Sequence, residues 1–270
     1  MTAPFDLTVI RYATNPRRRR IDHLYQLPPG DPHDAPMPID FFVWIARNDK
    51  RTILIDSGAD AAACAARGHD FLRCPSEGLK AVGIDPSDVT DVITTHLHWD
   101  HAGNFDKFPN ARFHVQRAEM IHATGPCMGN AFLRRPYDIE QVCALLRGVY
   151  GGRVAFHEGE DEVTPGLAIR HVGGHTPGLQ IAQVATRRGN VVVASDALHF
   201  FENKETNNPF PVLVDIPAYM AGWQVLDRLA ETPDHIIPGH DPSVLARYPA
   251  VSPALQGIAA KLDVMPKMAR

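Results

Sequence analysis

His96-Leu97-His98-Trp99-Asp100-His101-Ala102-Gly103 packs three histidines and an aspartate into one short stretch. Burying so many polar side chains without partners costs several kcal/mol, and a metal cluster supplies the partners. The preceding Val92-Ile93-Thr94-Thr95 is a β-branched run that reads as a buried strand, and Gly103 permits a tight turn after it. His96 and His98, two apart at a strand end, project to the same side toward one ion. Asp100 and His101, past the strand, can reach round to a second. His23, His69, His114, His122 and His157 lack such company and read as surface or satisfied core residues.

The octapeptide resembles the HxHxDH signature of the metallo-β-lactamase superfamily, and further landmarks follow in the expected order. Gly173-Gly174-His175-Thr176-Pro177-Gly178 resembles the loop that carries the third histidine of the first metal site. Ser195-Asp196-Ala197, after the apolar Val191-Val192-Val193-Ala194, resembles a bridging aspartate at a strand end. Ile236-Ile237-Pro238-Gly239-His240-Asp241 resembles the last strand and its terminal histidine. The resemblance implies that His96, His98 and His175 hold a first metal, that Asp100, His101 and His240 hold a second, and that Asp196 bridges both. Two divalent ions are therefore expected; zinc is the default, and the donor set also suits iron, manganese or cobalt. Asp56, in Ile53-Leu54-Ile55-Asp56-Ser57-Gly58, resembles the family's carboxylate that orients a liganding histidine from behind.

At 270 residues, 44% hydrophobic and 21% charged, the chain suits one large core, and residues 1–270 read as a single domain. A net charge of -4 argues against a general nucleic-acid surface. Arg17-Arg18-Arg19-Arg20 is a local basic run in a Pro-flanked loop, read as a solvated face, with an anionic substrate or partner as the other reading. The start shows no basic region followed by an apolar stretch, and no apolar run is long enough to span a membrane, so cytoplasmic residence without a membrane partner is expected. Cys64, Cys74, Cys127 and Cys143 are spaced unlike a zinc knuckle or redox pair and are expected to be reduced.

Hydrophobic patterning gives alternating elements. Strands are expected at 7–11, 41–46, 52–55, 112–115, 168–172, 180–186, 191–194 and 234–237, and helices at 76–82, 117–123, 138–150 and 218–230. Such a pattern allows several α/β topologies. The resemblance selects the α/β metallo-β-lactamase-type four-layer αββα sandwich, with the metals at one edge between two sheets.

Within that superfamily the chain looks most like the N-acyl-homoserine lactonase group. The implied activity is opening of a lactone ring by attack of a metal-bridging hydroxide, with Asp100 passing a proton toward the departing alkoxide. Alternatives are hydrolysis of another ester, thioester or cyclic amide, and an iron-dependent sulfur dioxygenase. The expected partner is a small molecule with an apolar portion, and a homodimer is compatible with the reading. Tyr25, Phe105, Phe108, Met128, Phe132, Phe200 and Phe201 are the candidate walls for that portion. One departure stands out: three residues after Asp196, where the lactonase pattern has a catalytic tyrosine, this chain has His199. Imidazole can donate a hydrogen bond to the substrate carbonyl as a phenol does, with a different reach and charge state.

Overall fold

The computed structural model describes residues 3–267. Its first sheet joins β1 (Asp6–Asn15), β2 (Ile39–Arg47), β3 (Thr52–Ile55), β4 (Asp70–Phe71), β5 (Asp91–Ile93), β6 (Arg112–Gln116), β7 (Val154–His157) and β13 (Ala259–Lys261). The strand order is β13-β1-β2-β3-β5-β6-β7, with β4 added to β1. The second sheet has the order β12-β11-β10-β9-β8, from β8 (Glu160–Thr164), β9 (Leu167–His171), β10 (Gln180–Thr186), β11 (Gly189–Ser195) and β12 (Ile236–Pro238).

Strand β2 shows why the sheets stack. Residues 39–46 are buried on both faces, so alternate side chains enter different cores. Phe42 and Trp44 meet Leu167, Ile169, Val184 and Val193 of the second sheet in the central core. Phe41, Val43 and Ile45 face the opposite way, into a core closed by α1 (Ala61–Ala66), α2 (Pro75–Ala81), α3 (Arg117–Ala123) and α4 (Ile139–Tyr150). The outer face of the second sheet, through Ile181, Val192 and Ala194, packs on Tyr219, Trp223 and Leu226 of α6 (Ile216–Leu229). Short α5 (Phe201–Glu205) and α7 (Ser243–Arg247) complete the helices. Helix, sheet, sheet, helix is the sandwich the resemblance implied.

The expected elements are present, with boundaries shifted by a few residues. Helices α4 and α6 are capped by the Asp138 and Asp215 carboxylates, which accept from Glu140 N and Ala218 N. The elements not anticipated lack periodic signal. Helix α1 is nearly all alanine, β13 has three residues, and β8 is a sheet edge rich in acidic residues, where charge discourages further pairing. All four cysteines are free. Among the described residues no helix is long and apolar enough to cross a membrane.

Candidate metal centre and substrate cavity

Strands β3 and β5 are parallel, as are β11 and β12, and their carboxyl ends deliver Asp56, His96, Asp196 and His240 to one edge of the sandwich. His175 comes from the turn between β9 and β10. The result is two main groups of side chains whose ligand atoms lie within 4.8 Å of one another, His96, His98, His175 and Asp196, and Asp100, His101 and His240, with a third, overlapping group of Asp196, His199 and His240.

Asp196 stands between them. Its Oδ2 is 3.1 Å from His175 Nε2 and 3.7 Å from His96 Nε2, while its Oδ1 is 3.0 Å from His240 Nε2 and 3.3 Å from His101 Nε2. One carboxylate thus turns an oxygen to each group. Ring nitrogens of His98 and His175 converge to 2.8 Å. Among the described residues, buried His96 Nε2 and His101 Nε2 have no hydrogen-bond partner. Buried imidazole nitrogens without partners, converging beside carboxylates, fit divalent metal ions.

The remote ring nitrogens are held from behind. His101 Nδ1 lies 2.8 Å from Asp56 Oδ2, His240 Nδ1 lies 2.9 Å from the Asp40 carbonyl, and His96 Nδ1 lies 3.1 Å from Thr95 Oγ1. Each contact favours a proton on Nδ1 and leaves Nε2 as the ligand atom. Asp56 also accepts from Thr95 N at 2.7 Å, Thr95 Oγ1 at 2.9 Å and Ser195 Oγ at 3.3 Å. Asp56 and Ser195 both adopt left-handed backbone, φ 58° and 45°, a strained conformation kept by these bonds. A Cβ on Gly239 would fall 2.9 Å from Asp196 Oδ1, so only glycine lets that strand end pass so near the bridge.

Charge is distributed to suit cations. Burial, reinforced by neighbouring imidazoles, pushes His96 and His98 well below the ordinary histidine range. For His101 and His240 burial also lowers the affinity for a proton, but Asp196 and the other carboxylates outweigh it and raise both. Burial would raise Asp100 and Asp196, yet the surrounding histidines hold both carboxyls below their usual range.

Glu119 carried no recognisable sequence signal, yet it joins two of these loops. Fully buried on α3, it accepts from Leu97 N at 2.9 Å, between His96 and His98. Its other oxygen accepts from Thr176 Oγ1 at 2.6 Å and Gly178 N at 3.0 Å, next to His175. A Cβ on Gly178 would lie 2.2 Å from Glu119 N, so that loop must carry glycine there.

A cavity of about 620 Å³ opens onto His98, Asp100, His175, Asp196 and His240. Of the expected walls, Phe132 lines it. Tyr25 borders a separate cleft, and Phe105 stacks on Phe113 at 4.0 Å in another. Phe108 and Phe200 are buried in the outer core, against which Met128 also packs, and Phe201 enters the central core. Loop position suggested exposure for these residues, but their apolar rings found enough neighbouring surface to bury instead. The walls that were missed include Phe41, Trp99 and Phe210, together with His23 and His69, which sequence had assigned to surface or core. Trp99, inside the metal motif, was the one with a usable signal.

His199 points into the site. Its Nε2 is 2.9 Å from Asp196 Oδ2, its Nδ1 is 3.0 Å from Tyr219 Oη, and its ring stacks on Phe210 at 3.7 Å. Burial pushes its pKa down to about 3 against the opposing pull of Asp196, so the ring is neutral. Burial raises Tyr219 well above the ordinary phenol range, so the tyrosine keeps its proton.

The geometry defines a metal-dependent hydrolase-type centre at the edge of an αββα sandwich, and comparison with known proteins assigns its lineage. Residues 41–240 match the model of the metallo-beta-lactamase superfamily, and the chain belongs to it. An N-acyl homoserine lactonase from Bacillus sp is 30% identical over 199 residues, 68% of this chain and 72% of that protein. The N-acyl homoserine lactonase AttM of Rhizobium johnstonii is 27% identical over 243 residues, 84% and 90% of the two chains. A crystal structure of a quorum-quenching N-acyl homoserine lactone lactonase superposes with a TM-score of 0.72 at 25% identity, covering 89% of this chain and 93% of that one.

Proposed function

We propose that this chain is a dinuclear metal-dependent lactonase acting on N-acyl-homoserine lactones or close relatives of that ring. The observation that carries the metal assignment is Asp196, whose two oxygens face different histidine groups. The lactonase relatives, aligned across most of the chain, support the reaction. His96, His98 and His175 would hold one ion, Asp100, His101 and His240 the other, and Asp196 both. Zinc suits these neutral imidazoles and carboxylates. When bound, the ions supply Lewis acidity toward the lactone carbonyl and a water of lowered pKa.

The chain's own groups do the rest. Protonated Tyr219 would donate to His199 Nδ1, which places the imidazole proton on Nε2, 2.9 Å from Asp196 Oδ2. With Asp196 holding the ions, that proton would turn to the substrate carbonyl oxygen and stabilise the charge that develops on it, the task that related sequences give to tyrosine. Phe210, stacked on the ring, fixes the direction of that donor. Asp100 reaches the cavity as an ionised carboxylate, able to take a proton and return it to the departing alkoxide oxygen. Asp56 holds His101 in its liganding tautomer. In the cytoplasm, such an activity would quench quorum signals built on this ring.

The test is a panel of lactones, thioesters, phosphodiesters and β-lactams offered to metal-loaded protein, with proton release as a common readout. Lactones should give the highest kcat/KM, and elemental analysis should approach about two ions per chain. A higher value for phosphodiesters or β-lactams would refute the lactonase assignment, and oxygen uptake with an iron-loaded protein would redirect it to a dioxygenase.

A further inference from the structure

We propose that the substrate carries an anionic group at the end remote from the scissile bond, received by Arg67 and Arg135 at the cavity wall. This inference rests on the lactonase reading for its scissile bond. The chain as a whole is acidic, at -4, yet its metal-bearing cavity is lined by Arg18, Arg67 and Arg135. Asp100 and Asp196 belong to the metal centre, which leaves Asp22 as the cavity's remaining carboxylate, and it is committed to Arg18 at 3.3 Å. Arg67 and Arg135 have no carboxylate partner among the described residues.

Arg67 is held as a receptor would be. Its guanidinium lies 4.9 Å above the Trp99 ring, pinned by two long hydrogen bonds of 3.3 Å to the Ala63 and Tyr137 carbonyls. Two of its N–H groups are thereby used, and the rest of its planar fork remains for a bidentate acceptor. Arg135 lies 5.1 Å over the ring of Phe132, another cavity wall. In both cases the cation sits on an aromatic face, which orients it without neutralising it. The basic run divides accordingly. Arg17 pairs with Asp70, Arg20 pairs with Asp31 and Glu202, and Arg18, paired with Asp22, lines the cavity with a buried Nε that has no hydrogen bond among the described residues.

An alkyl tail offers these cations nothing and would leave the nearby guanidinium N–H groups facing apolar atoms. A carboxylate fits their charge and geometry, while Phe41, Trp99 and Phe210 cover the apolar middle of the molecule.

The experiment compares N-octanoyl-homoserine lactone with its ω-carboxy counterpart, N-(7-carboxyheptanoyl)-homoserine lactone, on metal-loaded enzyme at low ionic strength. The carboxylate should be favoured in kcat/KM by about tenfold to a hundredfold, the range of one charge-assisted pair. The ratio should shrink in 0.5 M sodium chloride, in Arg67→Gln and in Arg135→Gln, whose exposed side chain makes loss of folding a poor explanation. An equal or inverted ratio overturns the inference and leaves the lactonase reading intact. If neither lactone is opened, that reading fails, and equilibrium dialysis of the two ring-opened acids decides the inference without turnover. Tighter binding of the dicarboxylate, weakened in Arg67→Gln, upholds it; equal binding overturns it.

Discussion

Replacing Glu119 tests whether the metal loops are held by a residue that touches no metal. Glu119→Ala leaves the Leu97 and Gly178 N–H groups buried without acceptors, at about 1–3 kcal/mol each, for a loss on the order of 4 kcal/mol. Glu119→Gln is the sharper probe because it preserves volume. Its single amide oxygen can serve one loop, while its NH2 must confront an N–H of the other, at about 2 kcal/mol. Both loops belong to the His96, His98 and His175 group, whereas the Asp100, His101 and His240 group is supported by Asp56 and Asp40. Chelator competition with Glu119→Gln should therefore weaken one ion by about tenfold or more and disturb the other less, as substitutions behind metal ligands do. Urea denaturation of the metal-free protein should show the stability loss independently. Equal weakening of both ions, or an unchanged urea midpoint with unchanged affinities, would refute the argument.

Asp196→Ala should release both ions together, since each group loses the same carboxylate; retention of one tight ion by elemental analysis would contradict a bridge. His199→Phe should keep both ions yet lose roughly tenfold to a thousandfold in kcat, the range for one oxyanion donor. Tyr219→Phe should lower kcat less and shift the His199 ring ¹⁵N resonances toward the other tautomer; unchanged resonances would remove Tyr219 from the role given it. Buried His23, with its pKa lowered to about 4 by burial and then by Arg18, should make stability pH-dependent. Between that value and its unfolded pKa of 6.5 the unfolded chain binds the extra proton, so the contribution is complete above about 6.5 and is lost as pH falls toward 4. The full span is worth about 3 kcal/mol. His23→Asn should flatten the fall in urea midpoint across that window, and parallel curves would refute the assignment.

The candidate metal groups were legible because each of their side chains is a histidine or aspartate in a short motif, most of them at the end of an apolar strand. The sandwich followed from the order of those motifs, since patterning alone admitted other α/β arrangements. The cavity was not legible in the same way. Phe105, Phe108, Phe200 and Phe201 have the same chemistry as Phe41 and Phe210, and only the packing of distant elements decides which ring is buried and which forms a wall. His23 and His69 stand outside the ligand groups, as expected, but nothing near them in sequence reveals the cavity that folding brings alongside. Glu119 was hidden differently. An acidic residue in a short helix reads as surface until the two loops that need its oxygens are seen beside it.

The contact among Asp56, Thr95 and Ser195 has a mechanical consequence. Asp56 and Thr95 follow strands of the first sheet and Ser195 ends a strand of the second, so hydrogen bonds of 3.0 and 3.3 Å cross between the two sheets beside their apolar core. Apolar contact is non-directional and tolerates a small slide of one layer over the other; hydrogen bonds at these lengths do not. The two layers are therefore keyed at the edge that carries the chemistry, where Gln180 of β10 also donates to the Thr94 and His114 carbonyls at 2.9 and 3.0 Å. Sequence drift can repack the sandwich while leaving the alignment of its ligands untouched.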